Sequence, residues 1–185
     1  MIGVLAVIAI LASLLIPKIY EAINNSRISN SALSYNTIKT ALADHYAKYG
    51  TLNSSNGNTL ATPISKFDQV LVAEGFLDKL FQVKIGDTNT HVEVLSAAGN
   101  VGVTTGGDGT FDLDGNGSNN DAQGSAVVQC VITGVTGGDA LALSTLLDGA
   151  AMSAPDASTA DSQGRVKYAA PGGTNTTVYI YVTHR

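Results

Sequence analysis

The first sixteen positions of the chain are almost wholly apolar. Residues 2–16 read IGVLAVIAILASLLI, a run without a charge in which Ser13 is the only polar side chain. A serine inside a helix can hydrogen-bond to its own backbone, and beyond Pro17 the chain continues at helical spacing with KIYEAI. A helix that spans a bilayer takes about 20 apolar residues, so this run is slightly short for that role. Because it begins at the first residue, we expect the natural apolar segment to start earlier.

From Ile19 to Tyr49 the apolar positions narrow to a single stripe. Successive members are seven, three, four and four residues apart: Ile28, Tyr35, Ile38, Leu42 and Tyr46. This spacing predicts an amphipathic helix, and Gly50 occupies the place of a C-cap. At ~1.5 Å per residue, a helix of about 49 residues would be roughly 70 Å long. A domain of this size could not bury all of it, so we expect the first third to project into lipid or against copies of itself.

The rest of the chain predicts a β-rich head. Alternating or β-branched segments indicate strands at 91–95, 125–136, 165–168 and 176–183. Helices are predicted at 64–80, interrupted at Gly75, and at 139–148, ending at Gly149, while 150–164 is typical of a surface loop.

The predicted fold class is therefore α+β, with a long N-terminal helix packed on a C-terminal antiparallel sheet. The helix would occupy 1–50 and the head 51–185. Within the helix, 1–17 would be the membrane or filament-core segment, and 18–50 the amphipathic half that packs on the head.

Charge is distributed unevenly along the chain. Hydrophobic residues make up 44% and charged residues 14%, a balance typical of an ordered protein. Residues 1–50 carry four basic and two acidic side chains, a net of +2, whereas 51–185 carry six basic and thirteen acidic ones, a net of −7. An acidic head disfavours nucleic-acid binding, because neutralising phosphates requires clustered Lys and Arg. The same imbalance would suit a bound cation.

Reactive side chains are few. Cys130 is the only cysteine and lies in the apolar segment VVQCVI, so we expect it to be buried and no intramolecular disulfide to form. The three histidines show no metal-ligand spacing: His45 is expected on the helix surface, His91 in a strand and His184 at the terminus. The motifs G-x-S-x-G, P-loop and C-x-x-C do not occur. We therefore expect that the protein is not an enzyme.

The segment MIGVLAVIAILASLLIPKIYEAINNSRI resembles the N-terminal helix of type IV pilins and type II secretion pseudopilins. In that family the mature chain opens with a phenylalanine and a Thr-Leu-Ile-Glu-like stretch before the apolar run. With such an opening placed before Met1, Pro17 falls at the family's usual proline position. The resemblance covers about residues 1–50, and beyond them it extends only to the architecture.

The resemblance implies a structural subunit of a homo-oligomeric filament, either a type IV pilus or a type II secretion pseudopilus. It implies a place in the bacterial inner membrane before assembly, and then in a periplasmic or extracellular filament at the cell surface. Prepilin peptidase and the assembly machinery are the implied partners. Apolar burial at ~25 cal/mol per Å² would drive polymerisation. The residues expected to mediate assembly and membrane contact are Ile2, Gly3, Val4, Leu5, Val7, Ile8, Ile10, Leu11, Leu14, Leu15, Ile16 and Pro17.

Other interpretations of the apolar run remain open. It could be an ordinary membrane anchor or a buried core helix. The corresponding alternative function is a membrane-anchored calcium-binding module that does not polymerise. An anchored enzyme has no motif to support it.

A second pattern lies at 108–121, DGTFDLDGNGSNND. Ca²⁺ takes about six to eight oxygen ligands, which alternating acidic and amide side chains around a glycine turn can supply. Residues 112–117 match the first half of an EF-hand loop, but Gln123 stands where the closing glutamate belongs and no flanking helices are predicted. We therefore predict a calcium-binding loop that is not an EF-hand. Type II secretion major pseudopilins resemble this chain in carrying a calcium site in a late loop of the head domain. The expected ligands in this chain are Asp112, Asp114, Asn116, Ser118 through its carbonyl, and Asp121, with Asp108 a weaker candidate. The alternative is that these residues simply form turns.

Overall fold

The computed structural model describes residues 2–97, 105–173 and 175–185. Its elements, in chain order, are α1 (Ile2–Tyr49), β1 (Ser54–Ser55), β2 (Asn58–Thr59), α2 (Phe67–Ala73), β3 (His91–Ser96), β4 (Ala126–Thr136), α3 (Gly137–Asp148), β5 (Val166–Tyr168) and β6 (Asn175–His184).

Helix α1 is one continuous helix of 48 residues that passes through Pro17. It ends where the sequence predicts: Gly50 adopts φ +72° and its N–H donates to the carbonyl of Tyr46 at 2.7 Å. A side chain is rarely tolerated at such a φ, which explains a glycine at this position. A single continuous helix therefore joins the apolar N-terminal segment to the head.

The second half of α1 packs on the head through the predicted stripe. Ile28, Tyr35, Ile38 and Leu42 are each no more than 4% exposed, and Tyr46 is half-buried. The Tyr35 hydroxyl donates to the Tyr181 carbonyl at 2.9 Å, which ties α1 to β6. Burial raises the pKa of Tyr35 to about 12.

The head is built on a four-stranded sheet in the order β3-β4-β6-β5, antiparallel throughout. Strand β4 is central and pairs with both β3 and β6. The fold class is thus α+β, with a long N-terminal helix packed on an antiparallel sheet, as the sequence predicts. This arrangement is compatible with a pilin-like layout.

The two faces of the sheet have different coverings. Side chains such as Val128, Cys130 and Ile180 pack with α1, α2 and α3 in the main core. Alternate positions, including Val127 and Tyr181, face the other way and join a second cluster around Phe111, since successive side chains of a strand point to opposite faces. Residues 108–121, which we call the Asp-rich loop, therefore cover the face of the sheet remote from α1. Cys130 is buried as predicted, and its burial raises the pKa of the thiol.

Helix and turn boundaries differ from the predictions in three places. Helix α2 covers only seven residues of 64–80, and Gly75 at φ +80° follows its end. Helix α3 begins two residues early, because the Thr136 hydroxyl caps it by accepting from the Asp139 N–H. The β1–β2 hairpin was not predicted, although its Asn56-Gly57 turn has positive φ at both residues, the pattern favoured in two-residue hairpins.

Candidate functional site

The N-terminal half of α1 exposes an unusual amount of apolar surface. The predicted assembly residues whose side chains are described are all exposed: Gly3, Ile8, Ile10, Leu11, Leu15, Ile16 and Pro17. Of the larger ones, Ile8, Ile10, Leu11, Leu15 and Ile16 are 53–61% exposed. The backbone of Ile2, Val4, Leu5, Val7 and Leu14 is helical, and their side chains lie outside the described residues. We call residues 2–23 the projecting segment.

The exposed surface continues to Ile19, Tyr20 and Ile23, each more than half exposed. The first charges in it are Lys18 and Glu21, which pair at 3.3 Å on the surface. Monomeric proteins seldom expose contiguous apolar surface on this scale, and large exposed patches mark interaction sites. This segment is therefore the first candidate site.

Pro17 and Gly3 both lie within the helix. Pro17 lacks an N–H, so the Ser13 carbonyl loses its usual helical donor. Around Gly3 no atom lies within 4 Å of the position that a Cβ would take. The space at Gly3 is therefore open to a neighbour. Within the part of the chain that the structure describes, no helix combines the length and the apolarity needed to cross a membrane.

The second candidate site is the Asp-rich loop. The carboxylates of Asp112, Asp114 and Asp121 each present an oxygen within 4.8 Å of the others. Ca²⁺ binds oxygens at roughly 2.3–2.6 Å, so two ligands across one ion are separated by at most about 5 Å. The three acids are therefore close enough together to share one metal ion, with Asp112 fully buried and Asp114 exposed.

Backbone amides fold the loop around these acids. The Asp112 carboxylate accepts from the N–H groups of Asn116 at 3.0 Å and Gly117 at 2.9 Å. The Asp121 carboxylate accepts from the N–H groups of Leu113 and Asp114. Gly115 and Gly117 adopt φ of +71° and +83°, which the tight turn requires. The loop is thus ordered by its own hydrogen bonds around a cluster of negative charge.

The other predicted ligands are placed differently. The Asn116 side-chain amide donates to the Asp114 carboxylate at 2.8 Å, so its oxygen would face a cation only after the amide turns over. The Ser118 carbonyl accepts from the Asn120 N–H at 2.9 Å. Asp108 stands apart from the three acids and pairs with Lys167 instead.

Lys167 is a buried residue that the sequence did not reveal. It lies on β5 and its side chain is 1% exposed. Its ammonium group donates to the Asp108 carboxylate and the Thr110 carbonyl, and lies 4.7 Å from the centre of the Phe111 ring. Burial lowers the pKa of Lys167, and the Asp108 carboxylate opposes that shift. The lysine fixes the start of the Asp-rich loop to the sheet.

His45 was expected on the helix surface, and that expectation is wrong. Its side chain is fully buried, with Nε2 3.2 Å from both the Ser54 carbonyl and the Glu74 carboxylate. The rings of Tyr49, Phe67 and Phe76 surround it at centroid distances of 5.0–5.6 Å. Its spacing from Ile38 and Leu42 keeps it in phase with the buried stripe, a signal already present in the sequence.

No family model matches the chain, and comparison with curated proteins and with solved structures found no similar protein.

Proposed function

We propose that the chain is a structural subunit of a type IV pilin-like filament, polymerising through the projecting segment of α1. The observation that supports this most directly is the exposure of Ile8, Ile10, Leu11, Leu15 and Ile16 on a helix that is continuous with the head core. A segment of this kind requires lipid or other copies of the chain to cover it. The resemblance of its sequence to pilin and pseudopilin helices supports filament assembly in particular.

The proposal includes a route. The projecting segment would lie in the bacterial inner membrane before assembly, where a helix satisfies its backbone groups internally. The Ser13 carbonyl, which lacks its donor because of Pro17, is an exception. In the filament, periplasmic or extracellular, the same surface would pack against equivalent helices. Contacts that do not close into a ring give an open helical filament. Prepilin peptidase and the assembly machinery are the partners that the resemblance implies, and no enzymatic activity is proposed for the chain itself.

We further propose that Asp112, Asp114 and Asp121 bind Ca²⁺ in the head. The ion would supply positive charge among three carboxylates that otherwise repel one another. Asn116 and the carbonyl of Ser118 are the additional oxygen ligands that the sequence predicts. The role of the ion would be structural, since the loop covers one face of the sheet through Phe111.

Electron microscopy of sheared cell-surface material tests the filament proposal, with mass spectrometry of the N-terminal peptide. Thin filaments that contain this chain are expected, with an N-methylated residue at the mature N-terminus. Leu15→Asp should reduce filament yield at least tenfold, because it places a charge in the apolar contact. Thr40→Asp is the matched control on an exposed position of the same helix.

Another outcome would overturn the filament proposal. In that outcome the chain is found only as unprocessed monomer in the membrane fraction, and the Leu15→Asp and Thr40→Asp variants behave in the same way. That result would favour the membrane-anchored calcium-binding module that does not polymerise.

A further inference from the structure

A shallow apolar groove of about 600 Å³ lies between α1 and α3. Ile28 of α1 is 4% exposed within it, whereas Leu146 of α3 is 52% exposed at the groove. Among the described residues outside α1, Leu80, at 42%, and Leu146 are the only large apolar side chains that are exposed. The groove is therefore an apolar surface of the head that no part of the described chain covers.

None of the eight residues that line this groove is charged. Four other grooves on the described surface each include at least one Lys, Arg or Asp. An uncharged groove suits an occupant that is itself uncharged, because neither partner then loses the hydration of a charge on contact. Residues 2–17 of this chain have that character.

The groove also permits close approach of a helix. Gly138 lies in its lining, and beyond the adjacent residues and the backbone of α3 no atom lies within 4 Å of the position of a Cβ there. Ala142 and Ser29 add short side chains from the two helices. Two adjacent helices with small residues between them offer a place into which the side-chain ridges of a third helix can pack.

The uncharged residues 2–17 of the same molecule cannot fold back into this groove. Helix α1 is continuous from Ile2 to Tyr49, so Leu11 and Ile28 are separated by about 26 Å at ~1.5 Å per residue. An apolar helix that fills the groove must come from a second molecule.

We propose that the α1–α3 groove binds the projecting segment of a second copy of this chain. This inference rests on the proposed filament function and names the head surface that takes part in it. The apolar face of one subunit's N-terminal helix lies along Leu141, Ala142 and Leu146 of its neighbour. Each head thus contributes a docking surface to the filament, in addition to any packing of the helices on one another.

Disulfide crosslinking in assembled filaments tests the contact. Cys130 is fully buried, so introduced cysteines are the accessible thiols. Full-length chains with Leu146→Cys are co-expressed with chains carrying one cysteine in the projecting segment, at Ile8, Leu11 or Leu15. Mild oxidation should give a linked dimer for at least one pair, at a yield tenfold or more above the matched Leu80→Cys control. Leu146→Asp should lower filament yield at least fivefold, and Leu80→Asp should leave it unchanged.

The outcomes separate the two proposals. Filaments that form normally, with equal crosslinking at positions 146 and 80 or with no loss in Leu146→Asp, would overturn the groove contact and leave the filament function standing. Failure of the unsubstituted chain to form any filament would overturn both.

Discussion

The ammonium group of Lys167 lies 2.6 Å from the Asp108 carboxylate, although the lysine side chain is only 1% exposed. Asp108 itself is 35% exposed, so the pair joins the interior of the head to its surface. The pair connects strand β5 to the beginning of the Asp-rich loop. The three clustered acids lie further along the same loop.

Replacing Lys167 by Met should destabilise the head by about 2 kcal/mol, because hydrogen bonds to a charged group contribute roughly 1.5–3 kcal/mol. Water can reach Asp108, which keeps the loss below that of a fully buried pair. Urea unfolding measures the change. Lys39→Met, on the exposed face of α1, is the control and should change the free energy of unfolding by less than about 0.5 kcal/mol. Equal effects of the two substitutions would contradict a structural role for the pair.

Calcium should raise the stability of the chain. At a concentration about 100 times the dissociation constant, one bound ion adds ~2.7 kcal/mol to the free energy of unfolding. Thermal unfolding with and without Ca²⁺ measures this shift, and Asp112→Asn combined with Asp121→Asn should abolish it.

The matched control for calcium is Asp156→Asn. Asp156 is an exposed acid outside the group of Asp112, Asp114 and Asp121. Its carboxylate accepts hydrogen bonds from Ser158 and Thr159. Its variant should keep the full calcium shift. No shift in the unsubstituted chain, or the same loss in the Asp156 variant, would exclude the proposed site.

We expect the free energy of unfolding to fall in strongly alkaline solution because of Tyr35. Its folded pKa of about 12 lies above the ordinary value of 10.0, chiefly because burial disfavours the phenolate. Its contribution is therefore complete below pH ~10 and is lost as the pH rises toward ~12, because the unfolded chain releases the proton first. Urea unfolding between these pH values should show a smaller decline for Tyr35→Phe than for the unsubstituted chain. Tyr20→Phe, at a 69% exposed position, should keep the original slope.

His45 and Glu74 should show strong energetic coupling. Removing one member should cost about 1–3 kcal/mol, because a buried polar atom of the other then loses its partner. The Ser54 carbonyl still faces His45, and the Asn56 N–H still donates to Glu74. We expect this loss for His45→Phe alone and for Glu74→Met alone, and a smaller loss for the double variant than for the sum of the two. A double-mutant cycle by chemical denaturation gives the coupling, and additive effects would show that the two side chains act independently.

Periodicity alone predicted most of the framework. The stripe from Ile28 to Leu42 specified the packed face of α1, and alternation specified the longer strands of the sheet. The prediction for His45 was wrong because histidine is more often exposed than buried. Its position, three residues after the buried Leu42, instead indicates the buried face of α1. The short hairpin was missed although Asn56-Gly57 is a recognised turn signal, because each of its strands has only two residues.

Other features depend on contacts between distant parts of the chain. Lys167 alternates with the buried Val166 and Tyr168, so its position indicates the outer face of the sheet. That face is covered by the loop around Phe111, which the local sequence of β5 does not indicate. In the Asp-rich loop, the spacing grouped Asp112, Asp114 and Asp121, and a carboxylate oxygen of each lies within 4.8 Å of the others. It did not show that Asn116 donates to Asp114, because the orientation of an amide is decided by its partners.

Helix α1 is continuous from the projecting segment to Tyr49, so its number of residues determines the direction in which the head faces around the helix axis. Each residue turns a helix by about 100°, so one residue inserted near Ser26 would rotate the head by that amount about the axis of the apolar half. Seven inserted residues would return the head to within about 20° of its original direction, displaced along the axis by about 10 Å. The rotational orientation of the head about the helix axis thus depends on the length of the helix.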